Sequence, residues 1–250
     1  YSSGSSVGSA RRGSKRKDAE RPGWRDTQIQ IDGPAAAEFQ KLFLQSWEQG
    51  KGEPLPPSNY FPKLSQQGKH LVRVIGSSPD KPIPTIYVTL LSAITNAQTS
   101  VHITMAYFVP DRQTMDALLG AAGRGVDVKM ILPSYSDFWA VFHAGRAQYE
   151  ELLKSGVHIY ERQDALLHSK TIVIDDVWST VGSSNLDWRS FLHNYEANAT
   201  ILGWEFGKEM EAMFARDLSN SERITLDEWK RRPVAARVKE WAAKIWEYWL

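Results

Sequence analysis

The alternation of strand-like and helix-like segments after residue 70 constrains the fold more than any other feature of this sequence. Runs rich in β-branched residues predict strands at residues 71–75, 101–108, 126–132 and 157–160. Amphipathic stretches between them predict helices at residues 85–96, 112–120 and 140–154. Because this βα alternation is typical of a sheet covered by helices, we predict an α/β fold with a mixed, largely parallel sheet and helices on both faces.

The composition excludes several classes of protein. The chain is 42% hydrophobic and 24% charged, as in ordinary globular proteins, and its net charge of +1 provides no overall field that would attract nucleic acid. The absence of cysteine excludes disulfides, Cys-ligated zinc and thiol nucleophiles. No apolar run approaches the roughly 18 residues that a bilayer-spanning helix requires, so we expect any contact with a membrane to be peripheral.

Composition divides the chain into segments. Residues 1–23 are rich in Ser and Gly and then basic, which predicts a flexible, solvated segment whose cations are also suited to attract anionic lipid. Residues 49–69 are rich in Gly and Pro and predict a linker. Residues 24–48 and 70–250 remain as the two structured parts.

A strand–helix unit occurs twice in these structured parts. Asp26 begins an alternating strand, Gly33 follows seven residues later, and an amphipathic helix comes next. Glu196 begins the same arrangement, with Gly203 seven residues later and a second amphipathic helix after it. The repetition predicts that residues 24–48 are the tail of a first half-domain and that residues 70–250 form a second one.

A chemical motif lies in a predicted hairpin. The β-branched residues 171–174 and residues 178–181 predict two strands, and Asp175-Asp176 suits a two-residue turn between them. In that register, residues whose numbers sum to 351 lie opposite each other. His168 then faces Ser183.

Lys170 and Asn185 are expected on the same side of the hairpin as His168 and Ser183, because side chains alternate between faces. This surface presents an imidazole, an ammonium, a hydroxyl and an amide. The ammonium is suited to neutralise phosphoryl oxygens, and the imidazole to attack phosphorus or to transfer a proton. Since phosphate recognition here needs no metal, we expect neither a metal ion nor a cofactor.

Two carboxylates near the motif have different predicted roles. Asp175 lies seven residues from His168, roughly 23 Å along an extended strand, and on the opposite face, so we expect it to be structural at the turn. Glu196 is predicted to hold His168, because a carboxylate fixes the tautomer of an imidazole and stabilises its charged form.

The pattern His-x-Lys-x4-Asp-x6-Gly-Ser-x-Asn resembles the HKD signature of the phospholipase D superfamily. Residues 107–111 (Tyr-Phe-Val-Pro-Asp) and 124–128 (Arg-Gly-Val-Asp-Val) are similar to bacterial cardiolipin synthases, and the similarity extends over residues 24–250. It implies a phospholipase D-like α/β/α sandwich. It also implies an enzyme that joins two phosphatidylglycerols through a phosphohistidine intermediate and releases glycerol.

The resemblance also implies residue roles and a location. His168, Lys170 and Asp175 belong to its catalytic signature, although the geometry above makes Asp175 structural. Ser183, Asn185 and Glu196 are expected to contribute to substrate binding. The implied partners are phosphatidylglycerol and an anionic membrane surface, and the implied location is the bacterial cytoplasmic membrane.

The chain departs from that family in having a single HKD motif where the family brings two together. We expect the first motif upstream in the same polypeptide, since Tyr1 is not a natural start, or in a second copy of the chain. Two alternatives stay open: a single-motif phosphodiesterase or nuclease that acts as a homodimer, and a non-catalytic lipid-binding half. The near-neutral charge argues against nucleic acid as a partner.

The C-terminus carries an aromatic stripe at helical spacing. Core packing is the favoured interpretation, and an interfacial membrane helix is the alternative. The stripe consists of Trp241, Ile245, Trp246 and Trp249.

Overall fold

A nine-stranded mixed sheet forms the centre of the computed structural model, which describes residues 2–3, 5–10 and 23–245. The described strands are β1 (Ser2–Ser3), β2 (Ser5–Ala10), β3 (Trp24–Ile31), β4 (His70–Ser77), β5 (Ser100–Met105), β6 (Phe108–Val109), β7 (Asp127–Pro133), β8 (His158–Arg162), β9 (Leu166–Leu167), β10 (Lys170–Ile174), β11 (Trp178–Gly182), β12 (Leu186–Asp187), β13 (Glu196–Leu202) and β14 (Ser221–Ile224). The described helices are α1 (Ala35–Gln49), α2 (Thr85–Asn96), α3 (Arg112–Gly123), α4 (Trp139–Arg146), α5 (Tyr149–Lys154), α6 (Trp188–Leu192), α7 (Trp204–Leu218), α8 (Leu226–Lys230) and α9 (Val234–Ile245).

Antiparallel pairing is more frequent than predicted. The strand order is β1-β4-β13-β11-β10-β5-β7-β8-β14. Among the described neighbours in this sheet, β5–β7 and β7–β8 are parallel, and the other pairs are antiparallel. The mixed α/β sheet is therefore confirmed, but its parallel part is the smaller one. A short turn joins β10 to β11, and such a connection permits only antiparallel pairing.

Helices cover both faces of the sheet, as predicted. On one face, α2, α3 and α5 bury Leu90, Leu118 and Leu152 in the larger core. On the other face, α7 buries Phe206 and Met210 in a second core, to which α1 contributes. Among the described helices, none is both long and apolar enough to cross a bilayer.

Two predictions about helices need correction. The helix predicted at residues 140–154 is divided into α4 and α5. Before the break, Gly145 packs against the chain at Phe108, where an added Cβ would lie 2.3 Å from the carbonyl oxygen. Core packing of the C-terminal stripe is wrong for Trp241, whose side chain is exposed, while Trp246 and Trp249 lie outside the described residues.

The N-terminal residues that the structure describes are extended. In the segment predicted to be flexible, β1 pairs with β4, and β2 pairs with β3. The basic cluster within residues 11–22 lies outside the described residues. On its other edge β3 pairs with β9, which brings residues 24–31 next to the chemical motif.

Candidate active site

The hairpin of β10 and β11 forms in a register one residue away from the predicted one. Ile174 pairs with Trp178, and Ile172 pairs with Thr180. Asp175 and Asp176 do form the turn, both in the left-handed region with φ of 53° and 58°. Val177 is an additional residue between this turn and the first strand pair, and it shifts the whole ladder.

Four residues of the predicted motif nevertheless line one cavity of about 710 Å³. His168 precedes β10, whereas Ser183 and Asn185 follow β11. The start of β10 and the end of β11 lie at the same end of the hairpin. These three residues and Lys170 therefore reach the same cavity even though the strand register differs by one residue from the predicted one.

Asp26 holds His168, in place of the predicted Glu196. The parallel pairing of Trp24 with Leu166 and Arg25 with Leu167 continues past β9, where the His168 N–H donates to the Arg25 carbonyl oxygen at 2.8 Å. Asp26 is thereby placed beside His168, and the Asp26 Oδ2 to His168 Nδ1 distance is 2.9 Å.

The contact with Asp26 determines the tautomer of His168. Burial acts to raise the pKa of Asp26, but hydrogen bonds from His168 and the Thr27 N–H outweigh it and lower that pKa. An ionised carboxylate only accepts hydrogen bonds, so Nδ1 of His168 carries the proton. In the neutral form of this side chain, which lines the cavity, Nε2 is the ring nitrogen with a free lone pair.

A buried ion-pair network fixes the strand that carries Asp26. The Arg25 guanidinium binds the Asp217 carboxylate of α7 through two nitrogens, with Nε to Oδ1 at 2.7 Å. Arg162 Nη1 donates to the same carboxylate at 2.8 Å. Arg25 Nη1 also donates to Ser169 Oγ at 3.1 Å, next to His168 in the chain. These contacts restrict the position of Asp26 relative to the imidazole.

Lys170 is a buried cation beside the imidazole. Its Nζ donates to the His168 carbonyl oxygen at 2.6 Å, and its side chain lines the cavity. Burial lowers the pKa of Lys170 to about 8, and the nearby carboxylates of Asp26 and Glu196 oppose that decrease. At neutral pH the ammonium therefore keeps its charge in a poorly solvated position, where it is suited to bind an anion.

Ser183 and Glu196 form a pair on the other side of the motif. The Ser183 hydroxyl donates to Glu196 Oε2 and accepts from the Ala197 N–H at 3.1 Å. Asn194 Nδ2 donates to Glu196 Oε1 at 3.1 Å. Glu196 is therefore close to the cavity but bonded to Ser183 and Asn194, and its predicted role as the partner of His168 is wrong.

Asn185 is oriented by the backbone. Its Oδ1 accepts from the Tyr107 N–H at 3.2 Å, and its own N–H donates to Ser190 Oγ at 3.3 Å. Because its amide oxygen is engaged, the Nδ2 group is the part of the Asn185 side chain available to a phosphoryl oxygen.

Asp175 lies at the opposite end of β10 from the cavity. Its carboxylate accepts hydrogen bonds from the Gln98, Thr99 and Ser100 N–H groups, the shortest at 2.7 Å from Thr99, and from the Thr99 hydroxyl at 2.9 Å. Burial acts to raise the pKa of Asp175, but these hydrogen bonds outweigh it and lower that pKa. The carboxylate connects the hairpin turn to the segment between α2 and β5.

The sequence contained a signal for Asp26 that the residue-by-residue prediction did not use. Asp26 and Glu196 occupy equivalent positions in the repeated strand–helix unit, yet only Glu196 was assigned to a histidine.

No group of three or more His, Asp or Glu side chains that could hold a metal ion occurs within the described ranges.

Comparison with protein families identifies a match over residues 90–218, just over half of the chain. The matching family is described as "Cardiolipin synthase, PLD-like domain". A relative from Alkalihalophilus pseudofirmus, named cardiolipin synthase, is 36% identical over 231 residues, which are 92% of this chain and 46% of the relative. The chain thus spans about half the length of the curated relatives it matches.

Solved structures share the fold. Nuc from Salmonella typhimurium, a phospholipase D family member, superimposes with a TM-score of 0.54 at 23% identity, over 63% of this chain and 99% of Nuc. Phosphatidylserine synthase from Haemophilus influenzae superimposes with a TM-score of 0.57 at 14% identity, over 74% of this chain and 50% of the synthase. The phospholipase D fold predicted from the motif is confirmed.

Proposed function

The chain belongs to the family of phospholipase D-like domains that includes cardiolipin synthases, and on this premise we propose that it is one half of a phosphatidyltransferase. The reaction joins two phosphatidylglycerol molecules to give cardiolipin and glycerol. Support comes from relatives named cardiolipin synthase that are 34–36% identical to the chain over about nine tenths of its length. The proposed place of action is the bacterial cytoplasmic membrane, where both substrates are found.

The observation that carries the proposal is the Asp26–His168–Lys170 arrangement at the cavity. With its Nδ1 proton donated to Asp26, His168 is suited to attack phosphorus through Nε2 or to transfer a proton from that atom. Lys170 and the Asn185 amide are placed to bind the phosphoryl oxygens and to stabilise the charge that develops on them.

The proposed reaction has two displacements. In the first, a histidine nitrogen bonds to phosphorus, and the bond to the glycerol oxygen breaks as that oxygen takes a proton from a second acid. In the second, the hydroxyl of another phosphatidylglycerol gives its proton to that group and attacks phosphorus, and the P–N bond breaks. One nucleophile and one separate proton-transferring group are required, and His168 is the histidine that lines this cavity among the described residues.

The repeat suggests where the second histidine belongs. Asp26 and Glu196 are equivalent in the repeated unit, and Asp26 holds His168. We infer that Glu196, near the same cavity, holds the histidine of the other half. That half is either upstream in the same polypeptide or a second copy of this chain.

Conversion of labelled phosphatidylglycerol to cardiolipin, followed by thin-layer chromatography, tests the proposal. The chain should be mixed with the first half of the Alkalihalophilus pseudofirmus relative, and monomeric and dimeric fractions of the chain alone should be assayed beside it. We expect conversion in the mixture, and loss of at least about two orders of magnitude with His168→Ala, because the nucleophile or proton carrier is removed. His158→Ala is the matched control, because His158 is the first residue of β8 and does not line the cavity.

Different outcomes separate the alternatives. Undiminished conversion by a folded His168→Ala variant would refute the assignment of the site. Full activity in the dimeric fraction alone would identify a second copy as the other half. Cleavage of DNA at a rate exceeding lipid conversion would favour a nuclease.

A further inference from the structure

Helix α9 is packed with its apolar face toward solvent. Val234, Val238 and Trp241 follow the i, i+4, i+7 spacing of one helix face. Their exposed fractions are 71%, 57% and 67%. A surface helix of a soluble domain ordinarily turns such a face toward the core.

The buried face of α9 is small and polar. It contains Ala243 and Glu240, both nearly inaccessible to solvent. The Glu240 carboxylate binds the Arg232 guanidinium, with Nη2 to Oε2 at 2.8 Å. This buried ion pair fixes the rotation of the helix, so the outward orientation of Trp241 follows from specific contacts on the other side.

The opposite, buried side of α9 connects this helix to the candidate active site. α9 packs on α4 through Ala243, Val141 and Ala144, and Tyr107 contacts the same cluster. The Tyr107 hydroxyl donates to Asp137 at 2.8 Å, and its N–H donates to Asn185 of the site.

Further apolar side chains are exposed where α4 begins. Phe138 and Trp139, directly after Asp137, are 45% and 52% exposed. The exposed face formed by Val234, Val238 and Trp241 is here called the α9 surface, and Phe138 and Trp139 add exposed apolar area at the start of α4, the helix on which α9 packs.

We propose that the α9 surface docks the protein on an anionic lipid bilayer, with Trp241 at the level of the headgroups. Tryptophan is favoured at that depth, and the exposed Arg237 and Lys239 of the same helix complement the negative charge of the lipid. The proposal rests on the proposed function, because a lipid substrate reaches the cavity most directly from a bilayer adjoining it.

Tryptophan quenching by vesicles tests the proposal. The 250-residue chain is mixed with phosphatidylcholine vesicles that contain phosphatidylglycerol and brominated acyl chains, which quench indoles in contact with them. We expect the wild-type chain to bind and to be quenched. Trp241→Ser should weaken partitioning about tenfold, as expected for loss of a large buried apolar group.

Two further variants control the measurement. Val238→Glu keeps the fluorophore but places a charge on the α9 surface, and it should also reduce partitioning about tenfold. Trp204→Ser removes a similarly exposed tryptophan from α7 and should leave partitioning unchanged.

The outcomes separate docking from catalysis. His168→Ala should bind vesicles like the wild type but lose conversion in the reconstituted assay, whereas Trp241→Ser should bind soluble dihexanoyl-phosphatidylglycerol normally. Equal partitioning of wild type and Trp241→Ser, or no vesicle binding by the wild type, would overturn the proposal. A wild-type dimer that Trp241→Ser converts to monomers, without any change in partitioning, would also overturn it and assign the surface to a second copy.

Discussion

For single residues, the chemistry of the site depends on which nitrogen of His168 carries the proton. The Asp26 carboxylate fixes that proton on Nδ1. The hydrogen bond from the His168 N–H to the Arg25 carbonyl oxygen fixes the position of the imidazole along β3. The Trp24 ring lies against the imidazole, with a centroid distance of 5.1 Å. Three consecutive residues of β3 therefore orient one side chain of another segment.

Asp26→Asn should keep the packing but remove the charge that fixes the tautomer. We expect the conversion rate in the reconstituted assay to fall by about two orders of magnitude or more. The downfield NMR signal of the His168 Nδ1 proton should disappear in this variant and persist in Glu196→Gln. Loss of the signal only in Glu196→Gln would show that the carboxylates were assigned the wrong way round.

Lys170→Met should change how stability depends on pH. The pKa of Lys170 is lowered from 10.5 to about 8 in the folded chain, so between those values the unfolded chain binds more protons. The wild type should therefore gain stability from this residue as pH rises from about 8 to 10.5, by on the order of 3 kcal/mol. Urea unfolding at pH 7.5 and 10 should show this gain in the wild type and not in Lys170→Met.

The same variant should lose function without losing stability. At pH 7 the folded wild type holds a poorly solvated cation, so Lys170→Met should be at least as stable, yet bind dihexanoyl-phosphatidylglycerol at least about tenfold more weakly. Unchanged affinity in calorimetry would remove Lys170 from the phosphate site.

For the secondary-structure elements, the hairpin of β10 and β11 has a functional end and a structural end. One end opens on the cavity, and the other is held by Asp175, which accepts hydrogen bonds from three successive backbone N–H groups. The turn at Asp175 and Asp176 was predictable, because left-handed φ values are tolerated by Asp more readily than by most residues.

Asp175→Asn should act through stability. An amide oxygen binds the three N–H groups less strongly than a carboxylate does, so we expect a loss of about 1–3 kcal/mol in the free energy of unfolding. The conversion rate well below the melting temperature should change less than about twofold, since the residue lies at the far end of β10. A large loss of activity at unchanged melting temperature would contradict this division of roles.

The local sequence pattern predicted individual helices and strands better than it predicted strand register and long-range side-chain contacts. The bounds of α2 agree with the prediction because amphipathic residues fill the helix and Pro84 precedes it. The register of the hairpin was wrong because one residue, Val177, decides it, and no local propensity distinguishes a two-residue loop from one with an extra residue. Asp26 was missed because its contact spans 142 positions, and only the internal repeat pointed to it.

For the whole molecule, the decisive feature is how residues 24–31 join the body formed by residues 70–245. Asp217 accepts hydrogen bonds from two buried guanidinium groups, Arg25 of β3 and Arg162 of β8. Removing one partner from such a group leaves uncompensated buried charge, which costs about 3–5 kcal/mol. The Arg25–Asp217 contact thus couples the segment carrying Asp26 to the body carrying His168.

Cleavage between the two parts would measure this coupling. A site-specific protease sequence inserted between Ser58 and Asn59, both exposed, would cut the predicted linker without touching either contact. We expect the fragments to stay together during size-exclusion chromatography, because β3 pairs with β9 and α1 packs on β4 and the α7 core.

Asp217→Asn should separate the two fragments at micromolar concentration, since a loss of about 3–5 kcal/mol weakens their association by two to three orders of magnitude or more. Asp227→Asn, an exposed carboxylate in the first turn of α8, is the matched control. Fragments that separate in the wild type would show that residues 24–48 are held mainly by their covalent connection to the rest of the chain. The Asp26–His168 contact would then require stabilisation by the other half of the proposed enzyme.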